Sequence, residues 1–318
     1  MPDKIYSPRH SRPLDVHRWS DHPEVVKLVE GIWTGNALDS LISKKGPKPK
    51  RAFKGQLRVL ILDLYVAWLQ DPDLSVGVSM DSNAWKTGSR YNALHISKKI
   101  RDIINVLVDV GLIIMNPGSY SVPGAKTNRT ARIRASRGLQ QQFAEAKFQY
   151  DDISHAEGTE IIVFKDEEGR QIEYKDTPKT NQMRADLKAY NDLIADTFID
   201  IGGLPHPEIP TNHNGKQVNQ RIDGPAPLTR RIFSRENWDM HGRFYGGWWQ
   251  RFNSDFRSTI LLDDQPTVEV DYKGLHIAIL AAEQGNDLSG DPYQVSADIF
   301  PDLNRKLVRK MVKRLVLI

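Results

Sequence analysis

Two carboxylates in the last quarter of the chain have the type and spacing that could bind a metal ion. Polar and apolar residues alternate over Thr267–Asp271, which predicts a half-buried strand with Val268 and Val270 facing a core. Glu269 and Asp271 would face the other way. Asp271 would then lie at the strand end, a usual position for a ligand of the hard ion Mg²⁺. An aspartate here could equally cap the helix expected over residues 275–284, so both interpretations are open.

Three cations near residue 318 are spaced four positions apart on an expected helix. Arg305, Arg309 and Lys313 would stack on one face of that helix. A rigid row of this kind could bind a triphosphate or a nucleic-acid backbone. A solvated face of an amphipathic helix would have the same pattern. The apolar residues on the opposite side are Val308, Met311, Val312 and Leu315.

The segment His241–Gln250 combines glycines, an arginine and four aromatic residues. Aromatic rings beside an arginine and exposed backbone suit base stacking and phosphate contact. An aromatic cluster that packs under a loop is the alternative.

Two expected helices and a hairpin position another group of cations nearer the N-terminus. Apolar spacing predicts helices over residues 55–70 and about 92–110, the second ended by Gly111. Residues 112–115 and 130–134 then form a hairpin. This order resembles a winged helix-turn-helix over residues 55–136.

In that family the second helix enters the major groove of DNA and the hairpin, or wing, contacts phosphates. The resemblance implies DNA-binding residues on the helix and on the wing. A small helical domain with a solvated basic face, or a winged helix that docks a protein, would have the same pattern. The implied DNA-binding residues are His95, Lys98, Lys99 and Arg101 on the helix and Lys126, Arg129, Arg132 and Arg134 on the wing.

Composition separates the chain into a basic and an acidic part. Residues 1–150 contain 23 Lys and Arg against 13 Asp and Glu, whereas the remaining residues contain 21 against 27. A basic half favours a polyanionic partner, although a solubility imbalance would look similar. The chain has no cysteine, which excludes disulfides, thiolate nucleophiles and Cys-ligated zinc. Without a long apolar run or a signal peptide, we expect a cytoplasmic protein with no membrane partner.

The rest of the chain is expected to connect these parts. We expect a helix over 23–42, a proline-broken basic loop over 44–51 and a hairpin over 159–174. A helix over 180–199 and a long irregular connection over 202–227 would follow. The domain boundary is expected near 140–150.

The order of the motifs over residues 240–318 resembles the palm and fingers of family A DNA polymerases. His241-Gly242-Arg243 is similar to a segment that touches nucleic acid near the primer terminus, and Arg257 to an arginine that follows it. Asp271-Tyr272-Lys273-Gly274 is similar to the start of the metal-binding motif. Arg309 and Lys313 have the spacing of the cations that bind the incoming triphosphate.

This resemblance implies template-directed nucleotidyl transfer with Mg²⁺ or Mn²⁺ and a nucleoside triphosphate. Asp271 would hold the metal, helped by Glu269 on the same strand face. Arg305, Arg309 and Lys313 would face the triphosphate. Tyr272 and His276 would line the sugar, and Arg243 and Arg257 would contact primer–template.

The segment also departs from the family. His276 replaces a glutamate that helps to exclude ribose, so the sugar preference is open. The family's second metal-binding carboxylate lies beyond the region matched here, and we expect these 318 residues to be part of a longer polymerase-like protein. Two-metal catalysis needs carboxylates for both ions, so we expect poor primer extension.

Taken together, the sequence predicts an α+β protein with two domains. Residues 1–140 would be a winged-helix domain with a basic arm, and residues 150–318 a partial domain like a polymerase palm. The expected function is that of a DNA-binding replication protein related to family A polymerases. The alternative is a winged-helix replication initiator or regulator of a plasmid or mobile element without catalytic activity.

Overall fold

The computed structural model describes residues 10–36, 38–42, 47–119, 128–206, 208–213, 216–222, 227–252, 254–270, 272, 274–288, 290–296 and 298–316. The fold is α+β, as predicted. The chain divides into two compact units, Met1–Thr267 and Val268–Ile318. The boundary expected near 140–150 lies inside the first unit.

The first unit begins with a helix-rich region around one sheet. Its elements are β1 (Ser11–Pro13), β2 (Arg18–Trp19), α1 (Pro23–Gly35), α2 (Pro47–Gln70), β3 (Ser75–Val78), α3 (Ile100–Asp109), β4 (Ile113–Asn116), β5 (Ala131–Ala135) and α4 (Arg137–Glu145). The sheet order is β1-β3-β5-β4, with β1 parallel to β3 and the other pairs antiparallel.

Helix α2 forms the centre of this region. Every residue from Val59 to Ala67 is buried, so the helix is covered on all sides. It packs against α1, α3, α4 and the sheet strands β3 and β5. The predicted helix over 55–70 is confirmed. The predicted loop over 44–51 is wrong from Pro47 onward, because prolines in the first helical turn lack only N–H groups that would be unpaired there anyway.

The second predicted helix is shorter than the sequence pattern indicated. It begins at Ile100 rather than near residue 92, while its end is confirmed, with Gly111 at a φ of +74°. The amide of Leu112 donates to the carbonyl of Leu107 at 2.9 Å and closes the helix. Upstream, the side chain of Asn92 bonds the backbone of Ile96 in both directions and replaces helical hydrogen bonds with a turn.

The predicted hairpin β4–β5 is confirmed. Met115 pairs with Ile133, and the buried face of β5 consists of Ala131, Ile133 and Ala135. The helix expected over 23–42 ends at Gly35, and a 3₁₀ turn covers Leu38–Leu41.

The second part of the first unit contains smaller sheets. Its elements are β6 (Ser154–His155), β7 (Ile162–Phe164), α5 (Pro178–Asp196), β8 (Ile199–Ile201), β9 (Glu208–His213), β10 (Lys216–Arg221), β11 (Arg230–Ser234), β12 (Asn237–Tyr245), α6 (Ser254–Arg257), β13 (Ile260–Leu262) and β14 (Gln265–Pro266). One sheet has the order β12-β11-β7 and another the order β14-β13-β8. Strands β2 and β6 pair with each other and join the two parts of the unit.

Two predictions for this part need correction. The irregular connection expected over 202–227 contains the antiparallel hairpin β9–β10, whose polar sequence hid its pairing. The hairpin expected over 159–174 is reduced to a bridge between Lys165 and Gln171, because β7 pairs with β11 instead. The helix expected over 180–199 is confirmed as α5, which Thr177 caps.

The second unit contains α7 (Leu275–Glu283) and α8 (Arg305–Val316). A strand was expected over residues 267–271. The described residues 267–270 form no strand, so this prediction is wrong for them. Val268 is 84% exposed and Val270 is 77% exposed. Alternation describes a strand only where a neighbouring backbone pairs with it. Here the pairing of β14 with β13 reaches only the amide of Thr267, which donates to the carbonyl of Ile260 at 3.2 Å. None of the helices in the described part of the chain has the length and apolarity that a membrane crossing requires.

Candidate nucleic-acid interface

The start of α3 presents two lysines to solvent. Lys98 and Lys99 are exposed, and the ammonium of Lys99 lies 4.7 Å from the ring centroid of Phe53. Arg101 is half-buried one turn later. Because amide N–H groups at the start of a helix also favour anions, these lysines extend a positive helix terminus.

His95 lies in the turn before α3 rather than on a helix face. Its φ is +51°, and its ring nitrogen Nδ1 is 2.8 Å from the carbonyl oxygen of Thr87. The ring is exposed. His95 is therefore close to the two lysines in the sequence, but its backbone has the conformation of a turn and not that of a helix.

The arginines of the wing have different surroundings. Arg132 donates to the hydroxyl of Ser11 at 2.9 Å and to the carbonyl of Thr130, while Arg134 pairs with Asp73 at 3.3 Å. Both are half-buried, whereas Arg129 is exposed. Lys126 lies outside the described residues. The wing therefore offers Arg129 as its most accessible described cation.

A cluster that the sequence analysis missed holds the segment before α3. The guanidinium of Arg90 lies 3.6 Å from the ring centroid of Tyr174 and donates to the carbonyl of that residue at 2.7 Å. It also donates to Asp176 at 3.0 Å and to Glu160 at 3.3 Å. No spacing in the sequence signals this cluster, because its members are 70 to 86 positions from Arg90.

Burial keeps the neighbouring Tyr91 in its neutral form. It raises the pKa of the Tyr91 hydroxyl to about 12. The hydroxyl donates to the carbonyl of Ile172 at 3.1 Å and accepts from the amide of Phe164 at 3.0 Å. Tyr91 therefore acts as donor and acceptor over the whole physiological pH range.

The hairpin β11–β12 carries the arginine and aromatic residues expected to contact nucleic acid. Arg243 is exposed, as are Phe244 and Tyr245. Gly242, with a φ of +62°, is the extra residue of a bulge in β12. The bulge changes the face of the sheet on which side chains lie just before Arg243. The guanidinium of Arg231 lies 5.4 Å from the ring centroid of Phe244. This surface combines cations and open rings, as base stacking requires.

Arg257 closes a local turn. Its guanidinium donates to the carbonyl of Phe252 at 2.6 Å, and the residue is half-buried. This contact orients Arg257 toward its own loop.

Two of the three cations in the row of the second unit lie beside an aromatic ring. Tyr293 is buried, and Arg309 and Lys313 lie 5.5 Å and 5.7 Å from its ring centroid. Arg309 also makes two contacts with the carboxylate of Asp291, which raise the pKa of the guanidinium. Arg305 is exposed and borders a cavity of about 250 Å³ that Arg309 and Asp291 also line.

The described residues do not assemble the expected metal site. Asp271 lies outside the described residues, and Glu269 belongs to an exposed segment without strand structure. Tyr272 and His276 are exposed as well. Within the part of the chain that the structure describes, no three His, Asp or Glu side chains are placed to hold a metal ion.

Comparisons with known proteins add no family to this geometry. No family model matches the chain, and no curated protein or solved structure is significantly similar to it.

Proposed function

We propose that this protein binds duplex DNA through residues 47–135, in the manner of a winged helix. The observation that carries the proposal is the element order α2, β3, α3, β4, β5 together with the sheet order β3-β5-β4. In a winged helix these elements correspond to a supporting helix, a short strand, the helix that enters the groove and the wing.

Charge supports the same region as the interface. Residues 47–135 contain 14 Lys and Arg against six Asp and Glu. Lys98 and Lys99 at the start of α3 would approach the major groove, while Arg129 on the wing would contact a phosphate. The half-buried Arg132 and Arg134 would contribute less, because each has a partner within the protein.

We infer that the DNA contact serves replication, as an initiator or regulator. This part of the proposal depends on the resemblance of residues 240–318 to polymerase palm and fingers, and on the exposed arginine and aromatic residues of β11–β12.

The salt dependence of duplex binding tests the proposal. Fluorescence anisotropy with a labelled 30-base-pair duplex would be measured from low to moderate salt on the full chain. Arg129→Ala should lower the log–log salt slope by about 0.9, because it removes one phosphate contact, and Lys98→Ala should weaken duplex binding. Lys188→Ala, an exposed lysine of α5, is the matched control and should leave the slope unchanged. Failure of the wild type to bind duplex at low salt would refute the proposal.

A second candidate function is nucleotide binding by α8. The observation in its favour is the cavity of about 250 Å³ bordered by Arg305 and Arg309. Because Asp291 already neutralises Arg309, we expect weak binding. Calorimetry with dATP should give an affinity that Arg305→Ala reduces further, and primer extension should be low and abolished by Asp271→Ala. Undetectable dATP binding at millimolar concentration would remove this candidate.

A further inference from the structure

Residues 92–99 carry Lys98 and Lys99 but have little regular structure of their own. We call these residues the lysine turn. Its conformation depends on side-chain bonds: the carboxamide of Asn92 accepts from the amide of Ile96 at 2.8 Å and donates to the carbonyl of the same residue at 2.8 Å. The amide of Ser97 donates to the Gln56 side chain of α2 at 3.1 Å. One end of the turn is therefore fixed to α2, at the centre of the first hydrophobic core, which is formed by residues from Val25 to Ile153.

The other end is fixed to the second part of the unit. Ser89 donates to Glu173 at 2.6 Å, and the backbone amide of Arg90 donates to the same carboxylate at 3.2 Å. The Arg90 side chain stacks on Tyr174 and bonds Glu160 and Asp176. Each of these partners belongs to residues 160–176, so the segment entering the lysine turn is held from outside the N-terminal region.

Tyr91 adds a neutral, buried bond to the same partner segment. Its hydroxyl joins the carbonyl of Ile172 to the amide of Phe164, and the residue is 8% exposed. Because this bridge is uncharged, its contribution is to fix the position of the Tyr91 side chain relative to residues 164 and 172. The charged stack of Arg90 and the neutral bridge of Tyr91 together determine where Asn92 begins the turn.

We propose that Arg90 and Tyr91 are positioning residues that hold the lysine turn against residues 160–176, so that Lys98 and Lys99 meet DNA in one orientation. The inference rests on the proposed DNA binding and deepens it. A fixed orientation is what reading base edges requires, whereas phosphate attraction tolerates mobile lysines. Loss of the anchor should therefore reduce the preference for particular sequences more than the affinity for DNA in general.

Arg184 provides a matched control. It lies on α5 and donates to Glu160 and Asp176, as Arg90 does, and also to the Tyr174 hydroxyl. Within the described residues it forms no hydrogen bond or ion pair with residues 79–99. Arg184→Ala therefore disturbs the same carboxylates without releasing the lysine turn, and Tyr91→Phe removes a single hydroxyl if Arg90→Ala folds poorly.

Hydrogen–deuterium exchange of the full chain measures the anchor directly. In Arg90→Ala and Tyr91→Phe, the amide of Ile96 should exchange about tenfold faster than in the wild type, since the Asn92 side chain that accepts from it loses a fixed position. In Arg184→Ala this amide should stay within about twofold. Unchanged exchange in both Arg90→Ala and Tyr91→Phe would overturn the inference.

Selection from a randomised duplex library measures the functional effect. Arg90→Ala should bind the sequences enriched by the wild type about tenfold more weakly, yet bind the unselected library within about twofold. Arg184→Ala should keep the wild-type preference. If Arg90→Ala enriches the same sequences with the same affinity, the positioning role is refuted while DNA binding stands. If the wild type binds no duplex, the proposed function fails and the inference fails with it.

Discussion

Acidification should destabilise the first unit through two histidines, His17, which is buried, and His155, which is half-buried. His17 and His155 lie at the β2–β6 ribbon, where the amide of Ala156 donates to the carbonyl of His17 at 2.7 Å. Burial lowers the pKa of both imidazoles to about 4, and the positive charge of Arg230 acts in the same direction. The carboxylate of Asp15 opposes the shift but does not cancel it.

The sign and size of the effect follow from linkage. An imidazole whose pKa is lower in the folded than in the unfolded protein binds its proton more readily after unfolding. Its stabilising contribution is therefore complete above about pH 6.5 and is lost as the pH falls toward 4. Since one pKa unit corresponds to about 1.4 kcal/mol, each imidazole should cost about 2 kcal/mol at pH 5, and at most about 3 kcal/mol at lower pH. Both together should lower the free energy of unfolding by about 4 kcal/mol between pH 7.5 and pH 5.

Urea unfolding followed by tryptophan fluorescence measures this loss. All seven tryptophans belong to residues 19–249, so the signal reports on the first unit. The double variant His17→Gln/His155→Gln should lose most of the pH dependence between pH 7.5 and 5. His206→Gln, at an exposed site, should keep it. An unchanged unfolding midpoint across this range in the wild type would show that the imidazoles are not held neutral and would refute the reasoning.

Two further predictions concern stability. Asp63 is fully buried and accepts bonds from two arginines, so Asp63→Ala should lower the free energy of unfolding by about 3–5 kcal/mol in the same urea assay; a loss below about 1 kcal/mol would contradict a paired buried charge. Gly242→Ala should cost about 2–4 kcal/mol, because its φ is +62° and an added Cβ would lie 2.8 Å from the Phe233 ring. Gly203→Ala is the control, with a φ of +79° but open space, and should cost about 1–2 kcal/mol; equal losses at both glycines would exclude the steric contribution.

Local patterns predicted those elements whose stability is local or whose partner lies nearby. The apolar positions of α2, the capped helix α5 and the hairpin β4–β5 all follow periodicity. Gly111 ended α3 as expected, because only the left-handed conformation closes that helix end.

Elements that depend on distant partners were not predictable. Residues 267–270 alternate like a strand but form none, and β9–β10 pairs without an apolar signal. The turn at Asn92 depends on a side chain that competes with helical bonding. Arg90 could not be singled out, because its stacking on Tyr174 exists only after two regions of the chain have met.

The separation between Arg90 and its partners has a consequence for synthesis on the ribosome. The first hydrophobic core is complete by Ile153, so the N-terminal region can collapse before residues 160–176 leave the exit tunnel. Asp176 is added 23 residues after Ile153, about 1–5 seconds later at ordinary elongation rates, so Arg90 lacks this partner while the core is already complete. During that interval a nascent chain already has its basic surface but has a lysine turn that is not yet anchored. It would therefore meet nucleic acid by charge alone, before it could discriminate between sequences.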